Sequence, residues 1–120
     1  ALWEEYKEIN APIPLMNVIH RILDFYFLDM CGKDGLGLRE EILIKNRDRF
    51  IGTKPDGSPD MTLFHLADSM LQYMGAGVEG DMNYVSDGAD VDQIRWTFEM
   101  IFDRLGQKPH YDMMMERARV

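Results

Sequence analysis

The longest apolar run in the chain, PLMNVIHRILDFYFLDMC at residues 14–31, limits the fold more than any other feature. Apolar side chains recur along it at helical spacing and define one continuous seam: Leu15, Ile19, Ile22 and Tyr26. Its polar side chains share one narrow face: Asn17, His20, Arg21 and Asp24. A helix that is apolar around most of its circumference packs against several partners, so we predict a central helix over 14–31.

The ends of this central helix carry signals of their own. Pro14 suits the first helical position, because the N–H group that proline lacks would have no partner there. Gly32 suits a helix end, since glycine adopts the left-handed conformation that often follows a last turn. Asp24 and Asp29 interrupt the apolar run, so we do not expect it to cross a membrane.

Helical spacing of apolar residues recurs in five further segments: main helices at 38–50, 60–74 and 90–105, and short flanking helices at 2–10 and 109–118. We expect Ser58 or Asp60 to cap the helix at 60–74, with Pro59 in its first turn. A short strand at 42–44 is the alternative within 38–50. We therefore predict one all-α domain over 1–120, an irregular bundle of four main helices with short flanking helices at both termini.

The segment 90–105 has the most regular apolar seam, with residues repeating at spacings of three and four: Val91, Ile94, Phe98, Ile101 and Leu105. Asp90 is the expected N-cap, with Gln93 at the third helical position, and Gly106 is the expected residue after the last turn. A homo-oligomer formed through this seam is an open alternative, and an exposed Phe98 face would support it.

The charge of the chain narrows its partners. It has 13 Lys and Arg against 21 Asp and Glu, a formal net charge of −8. Nucleic acids and anionic membranes repel such a chain, so we expect neither and favour a protein partner with a neutral or basic surface. Cys31 is the single cysteine, and the acidic segment ALWEEYKEIN does not resemble the basic start of a secretory signal. We therefore expect a cytoplasmic protein, and we predict no cofactor.

Two histidine–aspartate pairs support the alternative of a small helical enzyme or metal-binding protein. His20 precedes Asp24 by four residues and His65 precedes Asp68 by three, so each pair can meet on a helix surface. Such pairs serve in acid–base catalysis and in metal sites. Neither pair has the companion glutamate of a di-metal bundle site, so we expect local helix contacts instead.

An acidic group beside a glycine-rich loop is a weaker metal candidate. Its members lie in the predicted loop at 75–89 and in the first turn that follows it: Asp81, Asp87, Asp90 and Asp92. The group lacks the alternating spacing and the closing glutamate of an EF-hand loop. Carboxylates at a helix N-terminus are also stabilised by the helix dipole without any metal.

The favoured hypothesis is a non-catalytic protein–protein interaction protein. The sequence contains no complete catalytic motif but ten methionines, which fill cores and also line adaptable binding surfaces. We expect a small acidic subunit or regulator of a larger assembly, for example a phage-type accessory or inhibitor protein. The candidate contact residues are aromatic or methionine side chains: Tyr111, Met113, Met114, Met115, Trp3 and Trp96.

Overall fold

A computed structural model describes residues 1–29, 37–75 and 90–118 of the chain. Within these ranges the chain is all-α and irregular, as predicted, with one short two-stranded hairpin. The α-helices are α1 (Leu2–Glu8), α2 (Pro12–Leu23), α3 (Thr62–Gly75), α4 (Val91–Arg104) and α5 (Lys108–Arg117). The other helical segments are π1 (Asp24–Asp29), π2 (Arg39–Ile44) and a 3-10 turn at Arg47–Phe50.

The central helix begins earlier than predicted and changes its winding before its end. Helix α2 starts at Pro12, so the predicted start at Pro14 is too late. Both prolines lie in the first turn, where backbone N–H groups have no intrahelical acceptor and a proline removes no hydrogen bond. After Leu23 the helix continues as π1, whose turns are wider than α-helical turns. The predicted end near Gly32 lies outside the described residues.

The segment predicted as a helix over 38–50 is helical but is not one continuous α-helix. Its first part is π2, which ends with a 3.1 Å hydrogen bond from the Lys45 N–H to the Glu40 carbonyl, five residues earlier. A 3-10 turn follows over Arg47–Phe50. The alternative of a strand at 42–44 is wrong, because these residues belong to π2.

A small hairpin occupies part of the loop predicted between the second and third main helices. Two short strands pair antiparallel: β1 (Gly52–Thr53) and β2 (Pro59–Asp60). Gly57 closes the turn at a φ of 89°, which glycine adopts without steric cost. Pro59 lies in β2, so its predicted place in the first turn of α3 is wrong. Helix α3 begins at Thr62 after Met61, so neither predicted cap, Ser58 or Asp60, directly precedes it. The Asp60 carboxylate still accepts a hydrogen bond from the Thr62 N–H at 3.0 Å.

Both ends of α4 carry the capping residues that the sequence predicted. The Asp90 carboxylate accepts a hydrogen bond from the Gln93 N–H at 2.7 Å. At the other end Gly106 has a φ of 75°, and the Gln107 N–H donates to the Phe102 carbonyl at 2.7 Å. This hydrogen bond spans five residues and belongs to the Schellman motif, in which a glycine in the left-handed conformation ends the helix.

The five α-helices and π2 all contribute to one hydrophobic core. Within it α4 packs on α2, α3 and α5, and π2 packs on α3. The middle of the apolar seam predicted on α4 lies in the core, since Ile94, Phe98 and Ile101 are fully buried. The Phe98 ring is 5.0 Å from the Tyr6 ring between centroids. An exposed Phe98 would have supported self-association through the 90–105 seam, and its burial leaves that alternative without this support.

We expect Gly106→Ala to lower the free energy of unfolding by about 1 kcal/mol, because a Cβ is strained at positive φ. Steric overlap does not cause the expected loss of stability, since an added Cβ would lie 3.7 Å from the Arg49 side chain, an ordinary contact. Gly52→Ala is the matched control, because an added Cβ there would also lie 3.7 Å from a side chain, that of Asp60, and the φ of Gly52 is not positive. Urea denaturation compares the two variants, and equal losses would contradict this explanation.

Candidate functional site

An apolar groove of about 660 Å³ lies between α1, π1 and α5. Each of these elements lines it with large side chains: Leu2 and Trp3 from α1, Phe25 and Tyr26 from π1, and Met113 and Met114 from α5. Arg117 adds one cation, and no Asp or Glu of the described residues lines the groove. Volumes and linings of this kind are typical of binding sites. We call it the α1–α5 groove.

Helix α5 presents one face to the core and another to this groove. Tyr111 and Ala118 are buried on the core face. The groove face repeats at spacings of three, one and three: His110, Met113, Met114 and Arg117. Residues at these spacings lie along one side of an α-helix. One wall of the groove is therefore a helical stripe about two turns long, roughly 10 Å.

Phe25 is the most exposed large apolar side chain of the described residues, at 61%. In a continuous α-helix it would follow Arg21 by four residues and extend the polar face. A large apolar residue on the polar face of a helix indicates an exposed contact residue. The sequence analysis did not select Phe25 on this ground, and it did not select Arg117. The structure places Phe25 in the first turn of π1, where it lines the groove together with the 39% exposed Met113.

Aromatic contacts fix π1 against the start of α5. The Tyr26 and His110 rings are 4.5 Å apart between centroids, and Trp3 meets His110 edge-on at 6.5 Å. The Tyr26 hydroxyl also donates a hydrogen bond to Gln107 Oε1 at 2.8 Å. These contacts hold two walls of the groove in one relative position.

Polar contacts tie α1 to α5 as well. Lys7 Nζ donates to the carbonyl of Met115 at 3.1 Å and to that of Ala118 at 3.0 Å. These carbonyls belong to the C-terminal end of α5, where a cation is favourable because the helix dipole is negative there. The hydroxyls of Tyr6 and Tyr111 lie 3.1 Å apart inside the core. The two terminal helices are therefore joined both by a cation and by a buried hydrogen bond.

Two of the predicted contact residues are largely buried, although one of them, Trp3, also lines the groove. Tyr111 is only 6% exposed and Trp3 only 8%, so neither offers much surface to a partner. Burial raises the pKa of the Tyr111 hydroxyl above its usual value, and the hydrogen bond with Tyr6 acts in the same direction. Met115 packs partly against the core without lining the groove.

Trp96 is exposed, at 52%, but belongs to a different surface. It lines a shallow depression of about 220 Å³ between α3, α4 and the start of α5, together with Met100, Glu99 and Asp103. Trp96 is not part of the groove lining. The structure therefore brings Trp3, Met113 and Met114 together and leaves Trp96 apart from them.

The two histidine–aspartate pairs lie on separate helices. His20 Nε2 is 3.2 Å from Asp24 Oδ2, so this local helix pair is confirmed. Asp68 Oδ1 instead accepts a 2.6 Å hydrogen bond from Arg39 Nε, which joins π2 to α3. Helix α2 packs mainly on α1 and α4, whereas α3 packs on π2 and α4. The pairs thus belong to different parts of the bundle.

The carboxyl group of Asp68 has a lowered pKa. Burial disfavours its charged form, but hydrogen bonds from Arg39 and Gln72, together with the charge of Arg39, outweigh that cost. The same hydrogen bond is the main cause of the raised pKa of Arg39. A carboxylate that a guanidinium keeps ionised is a poor proton acceptor at neutral pH, so Asp68 acts as an ion-pair partner.

The described ranges contain no group of three or more His, Cys, Asp or Glu side chains placed to hold a metal ion. Asp90 caps α4, and Asp92 lies in its first turn, where the helix dipole favours a negative charge. Other candidates of the sequence analysis lie outside the described residues: Asp81, Asp87, Cys31 and residues 76–89 of the predicted loop.

No protein-family model, curated protein or solved structure matches the chain. In the part of the chain that the structure describes, no helix is both long enough and apolar enough to cross a membrane. A function for this protein therefore has to be inferred from its own side chains. Of the four exposed large apolar side chains among the described residues, two line the α1–α5 groove, Phe25 and Met113.

We expect Tyr6→Phe and Tyr111→Phe each to lower the free energy of unfolding by about 1 kcal/mol, because each change removes the hydrogen bond between the two buried hydroxyls. The double variant should lose less than the sum, since it removes both hydroxyls. A double-mutant cycle from urea denaturation of the four proteins measures this coupling. Additive losses would show that the two hydroxyls do not interact.

We expect Asp68→Asn to remove a pH-dependent part of the stability. The pKa of Asp68 is lowered on folding, so its stabilisation is present above a pH of about 4 and is lost as the pH falls through the folded pKa. The stability difference between the natural chain and the variant should therefore narrow below about pH 4.

Urea denaturation of both proteins at a series of pH values checks this expectation. Asp112→Asn is the control, because it breaks an ion pair of 3.0 Å with Lys108 whose two side chains are exposed and screened by water. A difference that stays constant with pH would contradict the role assigned to Asp68.

Proposed function

We propose that this chain is a non-catalytic protein that binds a protein partner through the α1–α5 groove, as a small subunit or regulator of a larger assembly. The observation that supports this proposal most is the exposure of Phe25, at 61%, on the same groove as Met113, at 39%. A partner that covers such side chains gains about 25 cal/mol for each Å² of apolar surface removed from water.

The side chains of the groove favour binding over catalysis. Aromatic and methionine side chains are enriched at the centres of protein interfaces, and methionine adapts its shape to a partner. His110 is the one histidine of the described groove lining, and its ring packs on Tyr26. No carboxylate of the described lining is present to orient His110 as a general base.

The charge of the chain supports a partner whose surface is neutral or basic overall. A net charge of −8 favours encounters with positive surfaces and disfavours nucleic acids. The exposed Trp96, beside Glu99 and Asp103, is a second candidate contact for such a partner. Association should therefore be faster at low salt than at high salt.

The alternative, an enzyme or metal protein that uses two histidine–aspartate pairs, has less support. His20 lies on α2 and Asp24 at the start of π1, whereas His65 and Asp68 lie on α3. Helices α2 and α3 pack mainly on other elements, and Asp68 is engaged by Arg39. Elemental analysis of the purified chain tests the metal version. One equivalent of bound metal that is lost in His20→Ala or His65→Ala would favour the alternative.

Changing Phe25 and Met113 together to serine is expected to abolish partner binding and to leave the fold intact. Both side chains are exposed, so serine removes little buried area, whereas an anchor residue of an interface contributes about 2 kcal/mol or more to binding. The measurement is a pull-down from native extract with the immobilised chain, read by mass spectrometry. Urea denaturation of the same variant checks that it is folded.

Ile13→Ser is the matched control, because Ile13 is 44% exposed on α2 and does not line the groove. This variant should retain the partner. Retention of the partner by the double serine variant, or an equal loss in the control, would contradict the assignment of the groove. A loss seen only with Trp96→Ser would place the interface on the Trp96 surface instead.

A further inference from the structure

We infer that the occupant of the α1–α5 groove is an amphipathic α-helix of the partner that places an aspartate or glutamate opposite Arg117. This inference rests on the proposed function, and it adds the conformation and the local charge of the bound segment. Two observations lead to it: the spacing of the groove residues on α5, and the charge of Arg117, which no carboxylate of the described residues matches.

The residues on the groove face of α5 have the spacing that is typical of a helix surface that packs against a second helix. Its members fall at positions i, i+3, i+4 and i+7: His110, Met113, Met114 and Arg117. The facing walls, α1 and π1, are also helical. Helical walls use their backbone groups internally, so they offer no sheet edge to an extended peptide. An added helix of about three turns, roughly 16 Å, would cover the stripe.

Arg117 supplies the charge that the occupant has to match. Arg21 and Arg39 have carboxylate partners in Glu5 and Asp68. By contrast, no carboxylate of the described residues lies within ion-pair distance of Arg117, and none lines the groove. Covering an unpaired guanidinium is unfavourable, because the charge loses water without gaining a partner. An occupant that places a carboxylate opposite Arg117 avoids this cost.

A second copy of the chain does not meet this requirement in a symmetric dimer. If two grooves faced each other across a two-fold axis, each Arg117 would meet the groove lining of the other copy. That lining contains no Asp or Glu among the described residues. The net charge of −8 disfavours a strongly acidic partner, so the inferred carboxylate is one local position in an otherwise apolar and neutral or basic helix.

The position of the carboxylate follows from the stripe. Arg117 comes four residues after Met113, a rise of about 6 Å along α5. An apolar anchor that contacts Met113 and a carboxylate that meets Arg117 should be separated by a similar rise on the occupant. The acidic residue is therefore expected three or four residues from an apolar anchor.

The test selects binders from a displayed library of helical peptides of about 16 residues, long enough for four turns. The full chain is the target, and the Phe25→Ser variant is the counter-target, so that only peptides that need the groove are retained. Enriched peptides should repeat apolar residues at spacings of three and four, with Asp or Glu one turn from an anchor. The dissociation constant of the most enriched peptide is then measured by fluorescence anisotropy.

We expect Arg117→Glu to weaken this peptide about tenfold more than Lys54→Glu does, because it removes a charge-assisted contact. Lys54→Glu is the matched control, since it changes the net charge equally and lies in the exposed hairpin turn, away from the groove lining. Changing the acidic residue of the peptide to lysine should restore binding to the Arg117→Glu variant.

Equal weakening by Arg117→Glu and Lys54→Glu would overturn the inference while the proposed function stands, because binding would still depend on Phe25. Enriched peptides without helical spacing would also overturn it. A library that yields no Phe25-dependent peptide would count against the inference and the proposed function together. Dimerisation in sedimentation experiments that is lost in Phe25→Ser would make a second copy the occupant and overturn the inference.

Discussion

The packing of Phe98 and Phe102, one turn apart on α4, against both terminal helices holds the structure together. Trp3 of α1 lies 5.7 Å from Phe98 and 6.0 Å from Phe102 between ring centroids. Tyr111 of α5 lies 5.8 Å and 5.9 Å from the same two rings. Replacing such a buried phenylalanine by alanine costs about 3–5 kcal/mol, so the positions of α1 and α5 depend on this one face of α4.

The α1–α5 groove is a consequence of that arrangement. Helix α5 turns Tyr111 toward α4, which leaves the stripe that contains Met113 and Arg117 outside the core. At Asp24 the winding changes from α to π, and Phe25 then stands beside that stripe. Because one face of α5 packs in the core, its other face is free to contact a partner. The stability of the core and the proposed binding surface therefore share the same short helix.

Sequence reasoning found the correct helix for the candidate site but not all of the correct side chains. The methionine run at 113–115 points in several directions on a helix, which indicates that part of it is exposed. It does not reveal whether Tyr111 or Met113 faces outward, because that depends on the side of α5 that meets α4. The same limit applies to Asp68, whose partner Arg39 lies 29 residues away and reaches it only through the packing of π2 on α3.

The sequence by itself determined the all-α class, the approximate helix positions and the ends of α4. Apolar spacing, the Asp90 cap and the left-handed Gly106 act within a few residues, so they can be read locally. Only the tertiary structure decided the exposure of Phe25, the burial of Tyr111 and the shape of the groove. Burial depends on which helix faces pack together, and those contacts join residues from opposite ends of the chain that no local pattern relates.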